Sequence, residues 1–367
     1  MKGRSSTFMG AAVCLRAGLA GLLAAGCAAT AAPQEAASSD FWRCPVGFEV
    51  REGLNTGFPH DGMMRAFIVV PPKGPGGAAP VWVPMSGTVE SANANLFTEG
   101  SGANARLADH GFMVIGPVRQ CANQDPAIGF KACDGLGSDG WNWKPWNDGR
   151  AAGEAGRKWE NDEGPDSRFF EAMVRCVGVK WKLDASRLYL GGISAGGTVT
   201  NRVLTFNSDF WAGGMPLSGE WYIGADDGRR LTFAEGREAV RAAPTKIHQG
   251  HIGPTPLPRR LDPMIVLTMW GGEKDLWDCG PPLGLCSDYR PSTQAGSNYF
   301  SSVPGVVHIS CTGSHGHRWP SVNRDAFNLW ALRTLASHPK GSDPKDFVLT
   351  TPPEGYSCRI GPYTDHY

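Results

Sequence analysis

The chain has 367 residues, and its 35 lysines and arginines are balanced by 35 aspartates and glutamates, for a formal net charge of zero. That length can bury a full core, while the even balance, with no basic block, excludes nucleic acid and anionic surfaces as expected partners. None of the cysteine spacings is a zinc pattern, so no metal is expected.

Lys2 and Arg4 precede an apolar run rich in alanine and leucine that ends at Leu23-Ala24-Ala25-Gly26-Cys27. This is the charged start and short apolar stretch of a bacterial export signal, too short to span a membrane and stay there. The small residues before Cys27 resemble a lipobox, which would make Cys27 a lipid anchor after cleavage, although Ala24 stands where leucine is usual. The alternative is ordinary cleavage near Ala29 to Ala32. Residues 1–27 therefore read as the signal, and 28–40, small and alanine-rich, as a flexible tether. Residues 41–367 read as a single domain, expected to be a monomer and to need no cofactor. Without Cys14 and Cys27 eight cysteines remain, and an even number in an oxidising compartment implies disulfides whose connectivity spacing does not fix. Cys121 with Cys133 and Cys279 with Cys286 are the local expectations. Cys44 with Cys358 would tie the mature chain's ends together, leaving Cys176 with Cys311.

The domain opens on predicted strands at Arg65 to Val70, stopped by Pro71-Pro72, and at Val81 to Met85. A predicted helix over Ala103 to His110 leads to a strand at Phe112 to Ile115. Continuous apolar strands separated by helices suit a buried, mostly parallel sheet flanked by helices. Residues 117–164 form a long excursion with Trp141, Trp143 and Trp146, read as packing it onto the domain rather than as a polymer-docking surface. From Asp166 a helical pattern returns, with Phe169, Phe170, Met173, Val174 and Val177 on one face.

Leu188 to Thr198 then reads as an apolar strand, a glycine-lined corner with Ser194 at its tip, and a helix start. This is Gly-x-Ser-x-Gly, the nucleophile elbow of α/β-hydrolases, which pushes the serine hydroxyl out of the fold. In so glycine-rich a chain about 0.4 such matches arise by chance, so the reading rests on the strand before, the helix after and the partners downstream. A strand at Trp211 to Leu217 and a second excursion at 219–262, where such folds insert a lid, come next. His248 and His251 in that excursion fit a binding role better than that of a base.

A serine needs a base, and the base an orienting acid, in this fold in the order serine, acid, histidine. The loop after the predicted strand Pro263 to Met269 offers Glu273, Asp275 and Asp278. Glycines at a strand end followed shortly by aspartate favour Asp275. A short helix near Thr293 to Phe300 and a strand at Val306 to Ile309 precede His315-Gly316-His317-Arg318-Trp319-Pro320. Two residues apart on an extended loop, only one histidine would face the serine. The Gly-His-x-Trp-Pro arrangement resembles polyhydroxybutyrate depolymerases and feruloyl esterases and favours His317, whereas His308, within the strand, reads as a core or surface residue. For the oxyanion, the Ala195 N–H is the first expected donor and the Thr88 hydroxyl, after strand Val81 to Met85, the second. Trp277, two residues past the acid, would sit at the pocket rim, its ring either holding an acyl or alkyl chain or buried under the lid. A helix over Val322 to Ala336 closes the domain, and the last thirty residues are expected to be irregular, held by Cys358.

Longer stretches carry a more specific resemblance. FEVREGLN from Phe48, CANQDP from Cys121, GWNWKPW from Gly140, NDEGPDSRFF from Asn161 and GGISAGGT from Gly191 lie upstream. APTKIHQG from Ala243, WGGEKDLWDC from Trp270, DYRPSTQAGSN from Asp288 and HGHRWP from His315 follow. Together they resemble the oxidised polyvinyl alcohol hydrolases, or β-diketone hydrolases, over nearly all of the mature chain. The resemblance implies an exported, periplasmic enzyme, lipid-anchored if Cys27 is modified, with Ser194, Asp275 and His317 as its triad. It also implies a lid tryptophan and a disulfide beside the acid, matching Trp277 and Cys279 with Cys286. Thr88 departs from it, since serine is expected there; the hydroxyl is kept and a methyl added. The implied substrates are oxidised polyvinyl alcohol and small β-diketones or esters. The competing expectations are an exported esterase acting on polyhydroxyalkanoate or feruloyl esters, and a lipid-anchored binding protein with a decayed site.

Overall fold

The computed structural model describes residues 40–61, 63–74, 76–87, 103–118, 165–219, 221, 257–277, 287–321 and 323–363. The expectations for Cys27, the tether, Thr88, Cys121, Cys133, the Trp141 to Trp146 cluster, His248, His251, Asp278, Cys279 and Cys286 lie outside the described residues.

Within them the chain runs through β1 (Gly53–His60), β2 (Met63–Val70), β3 (Ala79–Met85), α1 (Ala103–Arg106), β4 (Met113–Pro117), α2 (Pro165–Lys180), β5 (Leu183–Ile193) and α3 (Ala195–Phe206). It continues through β6 (Gly213–Leu217), β7 (Met264–Trp270), β8 (Leu276–Trp277), β9 (Ser287–Asp288), α4 (Tyr289–Ser302), β10 (Val306–Thr312), α5 (Arg324–Ala336) and β11 (Ser357–Ile360). Nine strands form one sheet in the order β1-β2-β4-β3-β5-β6-β7-β10-β11, and β8 and β9 form a separate ribbon. β4, β3, β5, β6, β7 and β10 pair in parallel, whereas β2 and β11 join their neighbours antiparallel. A mostly parallel sheet in this order, with a reversed second strand, is the α/β-hydrolase architecture expected from the sequence.

The parallel strands are apolar on both faces because both are covered. Along β3, Val81, Val83 and Met85 enter one core with Phe169, Phe170, Met173 and Val174 of α2 and Val199 and Val203 of α3. Trp82, between them, enters the opposite core with Phe327, Ala331, Leu332 and Leu335 of α5. This is the two-residue alternation of a strand. Among the described residues no helix is long and apolar enough to cross a membrane.

Several boundaries differ from the sequence expectation. The predicted helix at Ala103 to His110 is α1 followed by a 3-10 turn over Leu107–His110, ended by Gly111 in the left-handed region. α4 starts at Tyr289 rather than near Thr293, since Pro291 falls in the first turn, where N–H groups have no intrahelical acceptor and a proline loses no bond. α5 begins two residues late because Asn323 has a φ of 44°. The C-terminal stretch is not wholly irregular, as β11 lies against β10.

The expected cysteine pairing also needs correction. The bonds are Cys44–Cys176 and Cys311–Cys358, not Cys44–Cys358 and Cys176–Cys311. The sheet itself decides this: Cys44 and Cys176 belong to one core, Cys311 and Cys358 to the other. β10–β11 register then sets Cys311 directly opposite Cys358. Cys44 is brought to α2 by its neighbours. Phe41 lies under the Arg175 guanidinium, 4.3 Å from its ring centre, and Trp42 occupies the space where a Cβ on Gly178 would be.

Candidate active site

β5, β6, β7 and β10 are consecutive in the sheet and run parallel, so their C-terminal ends share one edge, where open α/β sheets place their sites. Ser194 follows β5, Ser218 follows β6, Asp275 follows β7 and His317 follows β10. Hydrogen bonds step across this edge from strand to strand. The Ser194 N–H donates to the Leu217 carbonyl at 3.0 Å, Ser218 N–H to Met269 at 2.9 Å, and Gly313 N–H to Trp270 at 2.9 Å.

Ser194 is the corner residue between β5 and α3, with φ 57° and ψ −119°. A side-chain-bearing residue keeps such angles only where its surroundings over-determine them, the mark of a nucleophile elbow. The surroundings here are tight backbone contacts. A Cβ on Gly192 or Gly196 would lie 2.3 or 2.4 Å from the Met85 carbonyl oxygen, and one on Gly197 2.4 Å from that of Leu217. The glycines thus serve close approach. Ala195 is the first residue of α3, so its N–H is among those with no intrahelical acceptor and sits at the positive end of the helix dipole. The loop after β3 is described as far as Gly87, and Thr88 lies beyond it.

Asp275 is fully buried and His317 nearly so, with 5% of its side chain exposed. His317 Nδ1 lies 2.8 Å from Asp275 Oδ1. An ionised carboxylate only accepts, so the proton is on Nδ1 and Nε2 is left as the basic nitrogen. Asp275 Oδ2 accepts from the Ser218 hydroxyl at 2.7 Å and from the Gly271 N–H at 2.9 Å. The Tyr289 ring stacks on the imidazole, centroids 4.1 Å apart and planes 13° from parallel, and its N–H donates to the Asp275 carbonyl at 3.2 Å. The acid and histidine loops are locked to each other, the Gly316 N–H donating to the Gly271 carbonyl at 2.9 Å.

The structure thus joins Asp275 to His317 and sets Ser194 on the same edge. It also separates the alternatives. Glu273 is exposed and ion-paired with Arg290. His315 is buried, with neither ring nitrogen hydrogen-bonded among the described residues, and burial pushes its pKa down to about 4. His308 is a core residue: its Nε2 meets Thr268 Oγ1 at 2.9 Å, and its Nδ1 faces the Ser301 hydroxyl and the acceptor-only Gly361 carbonyl. Burial lowers its pKa to about 3. Trp277 is in β8, the strand that begins directly after Asp275, and its side chain lies outside the described set. Sequence reasoning missed Ser218 and Tyr289. Tyr289 stood in a quoted motif without a role; Ser218 carried no signal beyond the glycine after it.

No family model matches the chain. It is 66% identical over 349 residues to an oxidized polyvinyl alcohol hydrolase of Sphingopyxis sp. (strain 113P3), covering 95% of each chain. The crystal structure of native sOPH matches with a TM-score of 0.77 at 68% identity, over 89% of this chain and 99% of that one. A serine-to-alanine variant of pOPH, solved as a complex with pNPB, matches with a TM-score of 0.76 at 65% identity, over 88% and 97% of the two chains.

Proposed function

The chain belongs to the oxidised polyvinyl alcohol hydrolases and is a serine hydrolase, and from that premise we propose that it cleaves the C–C bond of β-diketones in oxidised polyvinyl alcohol through Ser194, His317 and Asp275. The observation that supports these roles is the buried His317–Asp275 pair on the sheet edge that carries the Ser194 elbow.

Ser194 Oγ attacks one ketone carbon as His317 Nε2 takes its proton. The oxyanion is held by the Ala195 N–H and by the Thr88 hydroxyl. Collapse leaves the acyl group on Ser194 and expels the CH2 carbon, whose electron pair the second ketone spreads as an enolate. His317 returns its proton to that carbon, giving a methyl ketone. Water then attacks the acyl-enzyme with His317 as base, releasing a carboxylic acid and restoring Ser194. Asp275 holds the imidazole in one tautomer and stabilises the imidazolium formed twice per cycle. An enolate is a poorer leaving group than an alkoxide, so activated esters are substrates of the same site. The second reading, an esterase of polyhydroxyalkanoates or feruloyl esters, draws on the pNPB complex of the related protein.

We further propose export to the periplasm, with residues 28–40 as tether, Trp277 at the pocket rim and lipidation at Cys27. Two disulfides fit an oxidising compartment. Cys27→Ala should then leave the membrane fraction.

The test is turnover of a small aliphatic β-diketone beside a p-nitrophenyl ester, with Ser194→Ala as control. Equal amounts of carboxylic acid and methyl ketone are expected, with loss of roughly 10³-fold or more in the variant. Ester cleavage with the diketone untouched would transfer the assignment to the esterase reading.

A further inference from the structure

β6 is followed by a serine, Ser218, for which the catalytic cycle above has no use. In the β5–β6 register Ile193 pairs with Leu217, so Ser194 and Ser218 are the next residues on adjacent strands. Both have positive φ, 57° and 44°, a region disfavoured for any residue with a Cβ. Glycine would meet that backbone requirement without strain, yet the position holds a serine whose side chain is fully buried. Among the described residues its hydroxyl has one use: it donates to Asp275 Oδ2 at 2.7 Å.

That bond has two physical consequences. Asp275 is fully buried, and among the described residues it has no lysine or arginine ion pair. A buried carboxylate without a cation depends on donors, and here the donors to Oδ2 are the Ser218 hydroxyl and the Gly271 N–H. They come from the ends of different strands, so they also fix the rotation of the carboxylate. With only the Gly271 N–H left on Oδ2, the carboxylate gains freedom to rotate, and Oδ1 is held less firmly toward His317 Nδ1. The serine is itself clamped, its N–H bonded to the Met269 carbonyl at 2.9 Å. Gly219 behind it packs so closely on α3 that a Cβ there would lie 2.4 Å from the Gly197 carbonyl carbon.

We infer that Ser218 is a positioning residue for hydrolysis, acting through Asp275 on His317 without touching substrate. The inference rests on the triad reading above. Ser218→Ala should lower kcat about tenfold, the scale of one lost hydrogen bond to a charged group, with KM within twofold and Tm only a few degrees lower, so that the protein stays folded at assay temperature. Ser218→Gly, which removes the backbone strain, should be no more active than Ser218→Ala. In an Asp275→Asn background, Ser218→Ala should cost nothing further, because its effect passes through the carboxylate. Wild-type kcat in either Ser218 variant would overturn the inference, as would a tenfold additional loss in the Asp275→Asn background. Ser194→Ala is run alongside: if it stays active the triad reading fails, and if it is inactive while Ser218→Ala is unchanged, only the positioning role fails.

Discussion

Gly271 is where the acid and histidine loops touch most closely, and Gly271→Ala tests how far activity depends on that contact. Its φ is not in the left-handed region, so alanine meets no backbone penalty there. The cost is spatial. A Cβ would lie 2.1 Å from the Gly316 carbonyl oxygen and 3.2 Å from Asp275 Oδ2, while real Cβ contacts essentially never fall below 3.0 Å. The two loops must therefore part by about 1 Å, and a misplacement of that size costs roughly 10²-fold in rate. Separating them also stretches the 2.9 Å bond from the Gly316 N–H to the Gly271 carbonyl and the 2.9 Å bond from the Gly271 N–H to Asp275.

Overpacking of this kind costs about 1–3 kcal/mol of stability, a fall in Tm of a few degrees that leaves the protein folded at assay temperature. kcat/KM on a p-nitrophenyl ester and Tm by calorimetry measure both effects. Gly77→Ala is the control, since a Cβ there meets nothing within 4 Å. A Gly271→Ala enzyme within threefold of wild type, with unchanged Tm, would refute the claim that these loops fix the acid–histidine geometry.

Asp275→Asn should lower kcat by about 10⁴ while preserving the fold, because an amide accepts and donates where the carboxylate only accepts, and the imidazole proton loses its fixed place; single-turnover kinetics with an ester checks it. Breaking Cys311–Cys358, which closes a separation of 47 residues, should cost about 4 kcal/mol on chain-entropy grounds, read as a lower Tm for Cys358→Ser than for wild type. The acid limb of stability follows from His308 and His315, which burial lowers from 6.5 to about 3 and about 4. Below 6.5 the unfolded chain takes up these protons before the folded one does. Stability is thus complete above that pH and falls by about 1.4 kcal/mol per pH unit for each group until its folded pKa is reached. Tm should be level above pH 7 and drop steadily from pH 6 to 4; a Tm constant down to pH 4 would contradict the buried, neutral state of both rings.

The parts of the site legible in the sequence are those whose signal is local. Ser194 is announced by the glycines beside it, because those same glycines make the close approach to Met85 and Leu217. Asp275 is singled out by its order along the chain and the glycines at its strand end, and His317 by its order and the Gly-His-x-Trp-Pro arrangement. Ser218 left no such trace, since its hydroxyl partner is 57 residues away. Tyr289 is likewise separated from the ring it covers, His317, by a helix and a strand. The pairs Cys44–Cys358 and Cys176–Cys311 were misread for a related reason: tying the ends together is a statement about sequence distance, whereas pairing obeys the two faces of the sheet. β1 and β11 were missed because GLNTGFPH contains glycine and proline and SCRI is too short to alternate; both lie at the sheet's edges, where pairing to a formed neighbour replaces intrinsic propensity.

On the roles proposed above, the chemistry and the specificity of this enzyme are built on different parts of the chain. Every group argued to move a proton or to aim one is held at the end of a parallel strand, and the bonds between Ser194 and Leu217, Ser218 and Met269, and Gly313 and Trp270 fix those ends in register. The two serines with positive φ can be held there because β6 and the half of β5 that leads into Ser194, Leu188 to Ile193, are buried beneath them. A carboxylate and an imidazole held by such a frame serve any acyl transfer, whether the leaving group is an enolate or an alkoxide. The β8–β9 ribbon differs in kind, since it departs from Asp275 and returns at Tyr289, so it is rooted in the site at both ends without belonging to the sheet. Substitutions at Trp277 should therefore change the ratio of diketone to ester turnover while leaving the effect of Asp275→Asn intact. Substitutions along the strand ends should lower both activities together. A Trp277→Ala enzyme that lost both activities by the same factor would place discrimination in the frame itself and remove this division.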